Sequence, residues 1–285
     1  MNRLKTISLS IFVLISLLLL SGCGYRAVPS QYDLKLKTKV SELSCENGGN
    51  LAKLEITIDS RRYQDLTSDN NIFLAYHLLD TAGEVLVQDG IRTSLIPVKA
   101  RGIKNEIWEV LVPLEEGDYI VEADLVEEGV TWFSAQGMET LKIPLTVQNT
   151  VIPDYSGIIL TMDSTVANSA DANSATDAVS ADIHSPITVT IRNNSGIALC
   201  SSGYEATQLS YLIKDKKGTV LAEGERVKLP ENLASGQTGE LTFTPQAELL
   251  STPRDYMIEI DLLREGTAWF KDLGLIPLQI PVTIK

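Results

Sequence analysis

Ten residues, DLVEEGVTWF from Asp124 to Phe133, return in the same chain as DLLREGTAWF from Asp261 to Phe270. The match extends outward from that pattern. LEITI (Leu54 to Ile58) corresponds to ITVTI (Ile187 to Ile191), and Phe73 to Thr93 corresponds to Gln208 to Val227. Glu116 to Phe133 matches Pro253 to Phe270, and LKIPLTV (Leu141 to Val147) matches LQIPVTI (Leu278 to Ile284). Upstream, Tyr32 to Leu43 matches Tyr155 to Val166. The offset between copies drifts by only a few residues, as expected where loops vary and strands do not. The chain of 285 residues is therefore a duplication, and each copy is one folding unit of ordinary domain size.

Both copies are strand-like almost throughout. Alternating or β-branched apolar runs are broken by Gly, Asp, Asn and Pro at intervals of roughly ten residues. In the first copy the runs place strands at Asp33–Leu43, Lys53–Asp59, Ile72–Leu79, Val85–Gln88, Thr93–Pro97, Glu106–Pro113, Tyr119–Glu127 and Lys142–Val147. No long segment carries a 3.6-residue period. AELLSTP, Ala247 to Pro253, is at most one helical turn. Sequential antiparallel strands in this number predict an all-β chain: two tandem immunoglobulin-like sandwiches, residues 32–149 and 150–285. Tyr119 and Tyr256 follow turns at the start of the seventh strand, the position of a tyrosine corner. Neither copy carries its own inter-sheet Cys pair.

The duplication also places Thr165 to Ser185, rich in Ala, Ser, Asp and Asn. Composition suggests a linker, but the repeat puts it between the first and second strands of copy two. The segment is expected to be a disordered, dispensable loop inside a domain. The true junction is short, near Gln148 to Asp154. As for the recurring pattern, Gly129 suits a tight reversal and Trp132 can close the open end of a sandwich. On that reading the pattern is kept twice because two sandwiches need the same cap.

The N-terminus gives an address. Asn2-Arg3-Leu4-Lys5 is a short basic region, and Ile7 to Leu20 is apolar apart from Ser8, Ser10 and Ser16. That run is shorter than the ~20 residues a spanning helix needs. It ends in Leu20-Ser21-Gly22-Cys23, with small residues before a cleavage point, as in a secretory leader (residues 1–22). L-S-G-C also resembles the lipobox of bacterial lipoproteins. The resemblance implies that Cys23 receives a diacylglyceryl group and that its new amine is often acylated too. More than one acyl chain gives stable anchoring where one is marginal. Residues 23–31 would then be a tether on the exported side of the cell membrane or the outer membrane. A plain secretory leader or N-terminal anchor is the alternative. The formal net charge of −13 argues against nucleic-acid partners, because so acidic a chain repels phosphate backbones.

YHLLDTAGEVLVQDGIRTSL followed by GDYIVEADLVEEGVTWF resembles a module found beside bacterial glycosyltransferases. That module is similar to the carbohydrate-binding C-terminal domain of O-antigen polysaccharide exporters. The resemblance covers nearly all of copy one. It is weaker in copy two, where Leu212 stands for His77 and EGERV (Glu223 to Val227) for DGIRT (Asp89 to Thr93). It implies a β-sandwich accessory module associated with glycans, and no catalysis.

Catalytic and metal chemistry find little support. His77 and His184 lie in unrelated contexts, and no phosphate-binding loop, nucleophile elbow or zinc helix motif occurs. DANSATD lacks the turn Gly and terminal Glu of a calcium loop. A shallow sandwich offers no cleft for a glycosidase pair. No cofactor is expected. The leading expectation is a lipid-anchored, non-catalytic binding protein of the cell envelope, with a glycan as the first ligand class. Trp132, Tyr76, Asp89 and Arg92 are the candidate ligand contacts, since sugar rings stack on aromatic faces and hydrogen-bond to polar groups. The alternative is a structural spacer or protein-docking module, which expects the Trp-Phe aromatics to be fully buried.

Cys45 and Cys200 remain. The first-to-second loop of copy one and the second-to-third loop of copy two both face the joint between sandwiches. A Cys45–Cys200 disulfide is therefore expected to lock them, against the alternative of two separate thiols.

Overall fold

A computed structural model describes residues 32–43, 49–62, 64–148, 151–162, 186–246, 250 and 254–284. The first module contains β1 (Leu34–Lys37), β2 (Leu51–Ser60), β3 (Ile72–Asp80), β4 (Val85–Val87) and β5 (Thr93–Ser94). It continues with β6 (Ile103–Leu111), β7 (Gly117–Glu127), β8 (Thr131–Trp132) and β9 (Leu141–Val147). The second contains β10 (Ile158–Met162), β11 (Ile187–Asn193), β12 (Thr207–Lys214), β13 (Val220–Glu223) and β14 (Val227–Lys228). It ends with β15 (Thr238–Phe243), β16 (Asp255–Arg264), β17 (Ala268–Trp269) and β18 (Leu278–Thr283).

Each module is a two-sheet antiparallel sandwich. In the first, a three-stranded sheet β1-β2-β6 faces a larger one built on β4-β3-β7, with β5 on β3 and β8 and β9 on β7. The second repeats this order, as β10-β11-β15 facing β13-β12-β16 with β14, β17 and β18. Alternation dictates the layering. In β2 the residues Leu54, Ile56 and Ile58 point into the core, while Lys53, Glu55 and Thr57 do not. The chain is thus all-β, two tandem immunoglobulin-like sandwiches.

The sequence pattern overextends β1. The observed strand stops at Lys37, and Thr38 turns its hydroxyl back to the Glu55 carbonyl at 2.8 Å. The chain then crosses to the other sheet, where Leu43 bridges Leu145 in parallel. β5 is shorter than expected because the chain leaves the sheet at buried Leu95, whose N–H donates to Ser68 Oγ. The segments at 1–31 and 165–185, and Cys45, lie outside the described residues.

The tyrosine corner of the first module is present: Tyr119 Oη donates to the Glu115 carbonyl at 3.1 Å. The two sheets are also tied through Tyr76. Its hydroxyl donates to the Leu111 carbonyl (3.2 Å) and accepts from the Leu111 N–H (3.0 Å) across the sandwich. Tyr211 does the corresponding work in the second module, accepting from the Gln246 N–H at 2.9 Å.

The modules share a joint. Ala198 and Cys200, from the second module, belong to the hydrophobic core cluster of the first. The loop carrying them lies against residues 89–92. The Tyr204 N–H donates to the Asp89 carbonyl at 3.1 Å, and the Arg92 N–H donates to Ser202 Oγ at 2.8 Å. Gly203, at φ +78°, sits so close that an added Cβ would lie 2.9 Å from the Gly90 and Ile91 backbone. Asn232 Nδ2 donates to Glu109 Oε2 at 2.6 Å.

Candidate functional site

Three of the four residues expected at a ligand site converge on the outer face of the larger sheet of the first module. The Arg92 guanidinium lies over the Trp132 ring, 5.1 Å from its centroid. Its Nε pairs with Glu128, its Nη2 with Asp89, and its Nη1 donates to the Gly90 carbonyl at 2.6 Å. The indole, half-buried like that of Trp269, also meets the His77 ring, at 4.2 Å between centroids and a tilt of 53°. His77 Nδ1 contacts the Gln88 carbonyl, and Nε2 is 3.5 Å from Asp124 Oδ2. Burial opposes charging of this imidazole. The bonds to Asp124 and Gln88 outweigh it, and the His77 pKa stands above its ordinary value.

Tyr76 does not join this cluster. It is 1% exposed, and its hydroxyl is used between the sheets. Its ring packs against buried Trp108, and an added Cβ at Gly90 would fall 2.7 Å from that ring. As a ligand contact, Tyr76 is corrected: the residue is core.

The same arrangement stands in the second module. Arg226 lies over Trp269 at 5.3 Å, pairs with Glu223 and Glu265, and donates to Ser210 Oγ at 3.0 Å. Comparison of letters gave copy two a weaker version of the site. The structure shows Glu223, Arg226 and Glu265 in the places of Asp89, Arg92 and Glu128. The histidine is missing, since Leu212 stands at that position, and Lys271 Nζ lies over the Trp269 ring as well, 5.2 Å from its centroid.

The remaining letters of the recurring pattern now have roles. Gly129 and Gly266 turn the hairpin at φ +75° and +70°. Phe133 and Phe270 are fully buried and meet Tyr32 and Tyr155 edge-on at 4.8 and 4.9 Å. Asp124 is fully buried and accepts the N–H of Leu125 (2.7 Å) and of Ser134 (3.2 Å), which fixes the chain just after the aromatic pair. Asp261 does the same for Leu262 and Lys271. Burial pushes the Asp261 carboxyl up to about 6. Each Trp–Arg–carboxylate group is therefore a closed clasp that pins the final hairpin to the loop after the fourth strand.

A concavity lies at the joint. A cleft of about 410 Å³ is lined by Tyr119 of the first module, by Tyr204 of the second, and by the Glu205–Arg264 ion pair. Cys200 is fully buried in the same joint, and burial pushes the pKa of its thiol up to about 12. Its pairing with Cys45 falls outside the described residues, as does the lipidation of Cys23. Among the described residues no group of three or more His, Cys, Asp or Glu is arranged to hold a metal ion.

No protein-family model matches the chain, and no curated protein matches it in sequence. Solved structures align at low similarity. Red sea bream transglutaminase is 11% identical with a TM-score of 0.24, over 90% of this chain and 31% of that one. The E. coli chaperone DraB is 9% identical with a TM-score of 0.25, over 88% of this chain and 97% of that one. Amycolatopsis orientalis exo-chitosanase CsxA is 12% identical with a TM-score of 0.27, over 80% of this chain and 25% of that one. The chain thus spans under a third of the transglutaminase and a quarter of the chitosanase. Likenesses this distant carry no activity, substrate or partner to this chain.

Proposed function

We propose that this chain is a lipid-anchored, non-catalytic protein of the cell envelope that acts as a spacer and protein-docking module. The observation that carries the reading is the state of Trp132. Arg92 lies over its half-buried indole, the His77 ring packs tilted against it, and each nitrogen of the Arg92 guanidinium is already bonded inside the clasp. The indole thus already carries two protein partners where a sugar ring would stack. The L-S-G-C sequence at Cys23 supports the anchor, and the shared core at Ala198 and Cys200 supports a spacer whose two modules act together.

Glycan binding is the second reading, favoured by the joint cleft rather than by the clasp. Tyr204 is exposed there opposite Tyr119, beside charged Glu205 and Arg264. Aromatic rings next to hydrogen-bonding groups suit a saccharide. Affinity capture from the native envelope, with the chain as bait, separates the two. A defined protein, recovered equally from wild type and from Tyr204→Ala, supports docking. A polysaccharide lost on Tyr204→Ala supports the second reading. Recovery of neither overturns both.

A further inference from the structure

The strand β6 is the free edge of the first module's smaller sheet. It pairs with β2 on one side, and among the described residues no strand pairs with it on the other. The Glu109 N–H points to that open side, since it donates to Thr93 Oγ1 rather than to β2. Alternation then turns the backbone N–H and C=O of Ile103, Asn105 and Ile107 the same way. The side chains of these residues are solvent-facing, with Ile103 69% and Ile107 58% exposed. Lys104 and Glu106 point to the inner face. Glu106 is 5% exposed, and its Oε1 is buried without a hydrogen-bond partner.

The duplication shows how unusual this edge is. The corresponding strand of the second module reads TGELT from Thr238 to Thr242. Exposed threonines stand there in place of Ile103 and Ile107, and core Leu241 stands in place of Glu106. The first module thus exposes two isoleucines and buries a carboxylate that its sister module does without. Long apolar edges are normally blunted, and an inward charge is one way to do it. Here the charges have a more selective arrangement. IKNEI from Ile103 to Ile107 is self-complementary when read against itself in the opposite direction.

We propose that β6 pairs antiparallel with β6 of a second copy of this chain, about a two-fold axis at Asn105. Ile103 then lies opposite the partner's Ile107 on the outer face. Lys104 lies opposite the partner's Glu106 on the inner face, where directly opposed Cβ atoms stand about 4.5–5.5 Å apart. Each buried carboxylate, which in the single copy has the Ile96 N–H and the charge of its own Lys104, gains a second ammonium. Burial raises the Glu106 pKa in the single copy, against the Ile96 N–H and the chain's own Lys104, and a lysine brought opposite it adds to the opposing pull. A strand of unlike charge pattern adds no cation opposite the carboxylate, so the edge favours its own kind over others. So short a pairing buries less than the ~1,600 Å² of a standard interface. The dimer is therefore weak and is best read by covalent trapping.

The test is disulfide trapping of the full chain carrying Asn105→Cys, a position that meets itself on the axis. Opposed residues of a hydrogen-bonded pair stand about 5.5 Å apart at Cα, within disulfide reach. Mild oxidation should give a covalent dimer about tenfold faster than with Lys35→Cys on β1, at the far edge of the same sheet, because pairing raises the effective thiol concentration. The chain without an added cysteine sets the background. Lys104→Glu in the Asn105→Cys chain should abolish the advantage, as should Ile107→Lys at an exposed site. Adding Glu106→Lys to Lys104→Glu should restore it, with circular dichroism to confirm that each variant folds. Trapping no faster than at Lys35→Cys overturns the proposal. So does a rate that Lys104→Glu and Ile107→Lys leave unchanged.

Discussion

The Asn50 side chain accepts a hydrogen bond from the Ala198 N–H at 2.7 Å, across the boundary between the two modules. Both residues are buried, and the Asn50 carbonyl accepts the Val112 N–H as well. One asparagine therefore holds the end of β6 in one sandwich and the inserted loop of the other. Such a contact makes the joint part of the folded core, where a tethered pair of domains would leave it wet.

Asn50→Ala should leave the Ala198 N–H buried and unsatisfied. The expected cost is about 1–3 kcal/mol. Denaturant unfolding followed by circular dichroism measures it. If the midpoint stays at the wild-type value, the joint is not part of the cooperative fold.

Gly90 and Gly224 face the rings of Tyr76 and Tyr211. A Cβ at Gly90 would come within 2.7 Å of the ring, and one at Gly224 within 2.1 Å. Gly224→Ala and Gly90→Ala should each lower stability, by roughly 1–3 kcal/mol for an overpacked core, with Gly224→Ala the worse. Thermal melting of both variants checks the direction and the order.

Two groups give stability opposite to the usual carboxylate behaviour. Asp261 is raised from 3.8 to about 6, chiefly by burial, so the folded chain holds this proton more tightly than the unfolded one. Its contribution is full below pH 3.8 and is lost as pH rises through 6. Asp261→Asn keeps an acceptor for Leu262 and Lys271 and should remove a decline of up to roughly 3 kcal/mol between those values. His77 is also raised, so its contribution is full below 6.5 and is lost as pH rises through the higher folded value. His77→Leu, which copies Leu212 of the sister module, should flatten stability above pH 6.5 and leave the acidic limb alone. Urea unfolding across the pH range reads both. An unchanged profile in either variant contradicts the assignment.

Much of this was legible in the sequence because sandwich strands are local statements. Ile72–Leu79 and Tyr119–Glu127 were placed within a residue or two, and the corner at Tyr119 followed from its position after a turn. The crossing of the chain between sheets after Lys37 was not legible, since an apolar alternation looks the same whichever sheet receives it. Tyr76 was misplaced as a ligand contact for a related reason. Its hydroxyl looks like a surface group until the opposing strand brings Leu111 to it. The second clasp was undervalued because Glu223 and Arg226 keep the spacing of Asp89 and Arg92 while changing a letter. The insertion of Ala198 and Cys200 into the core of the first module is a contact between distant parts of the chain. Only the register of the whole joint specifies it.

On the proposed function, the recurring Trp is fastened as part of the fold rather than presented to a ligand. Denaturant unfolding of the Trp132→Ala chain tests it most directly. The clasp predicts a loss of about 2–4 kcal/mol, since the substitution removes a half-buried indole and the surface on which Arg92 and His77 rest. A midpoint within about 0.5 kcal/mol of wild type, the range of ordinary surface substitutions, would contradict it.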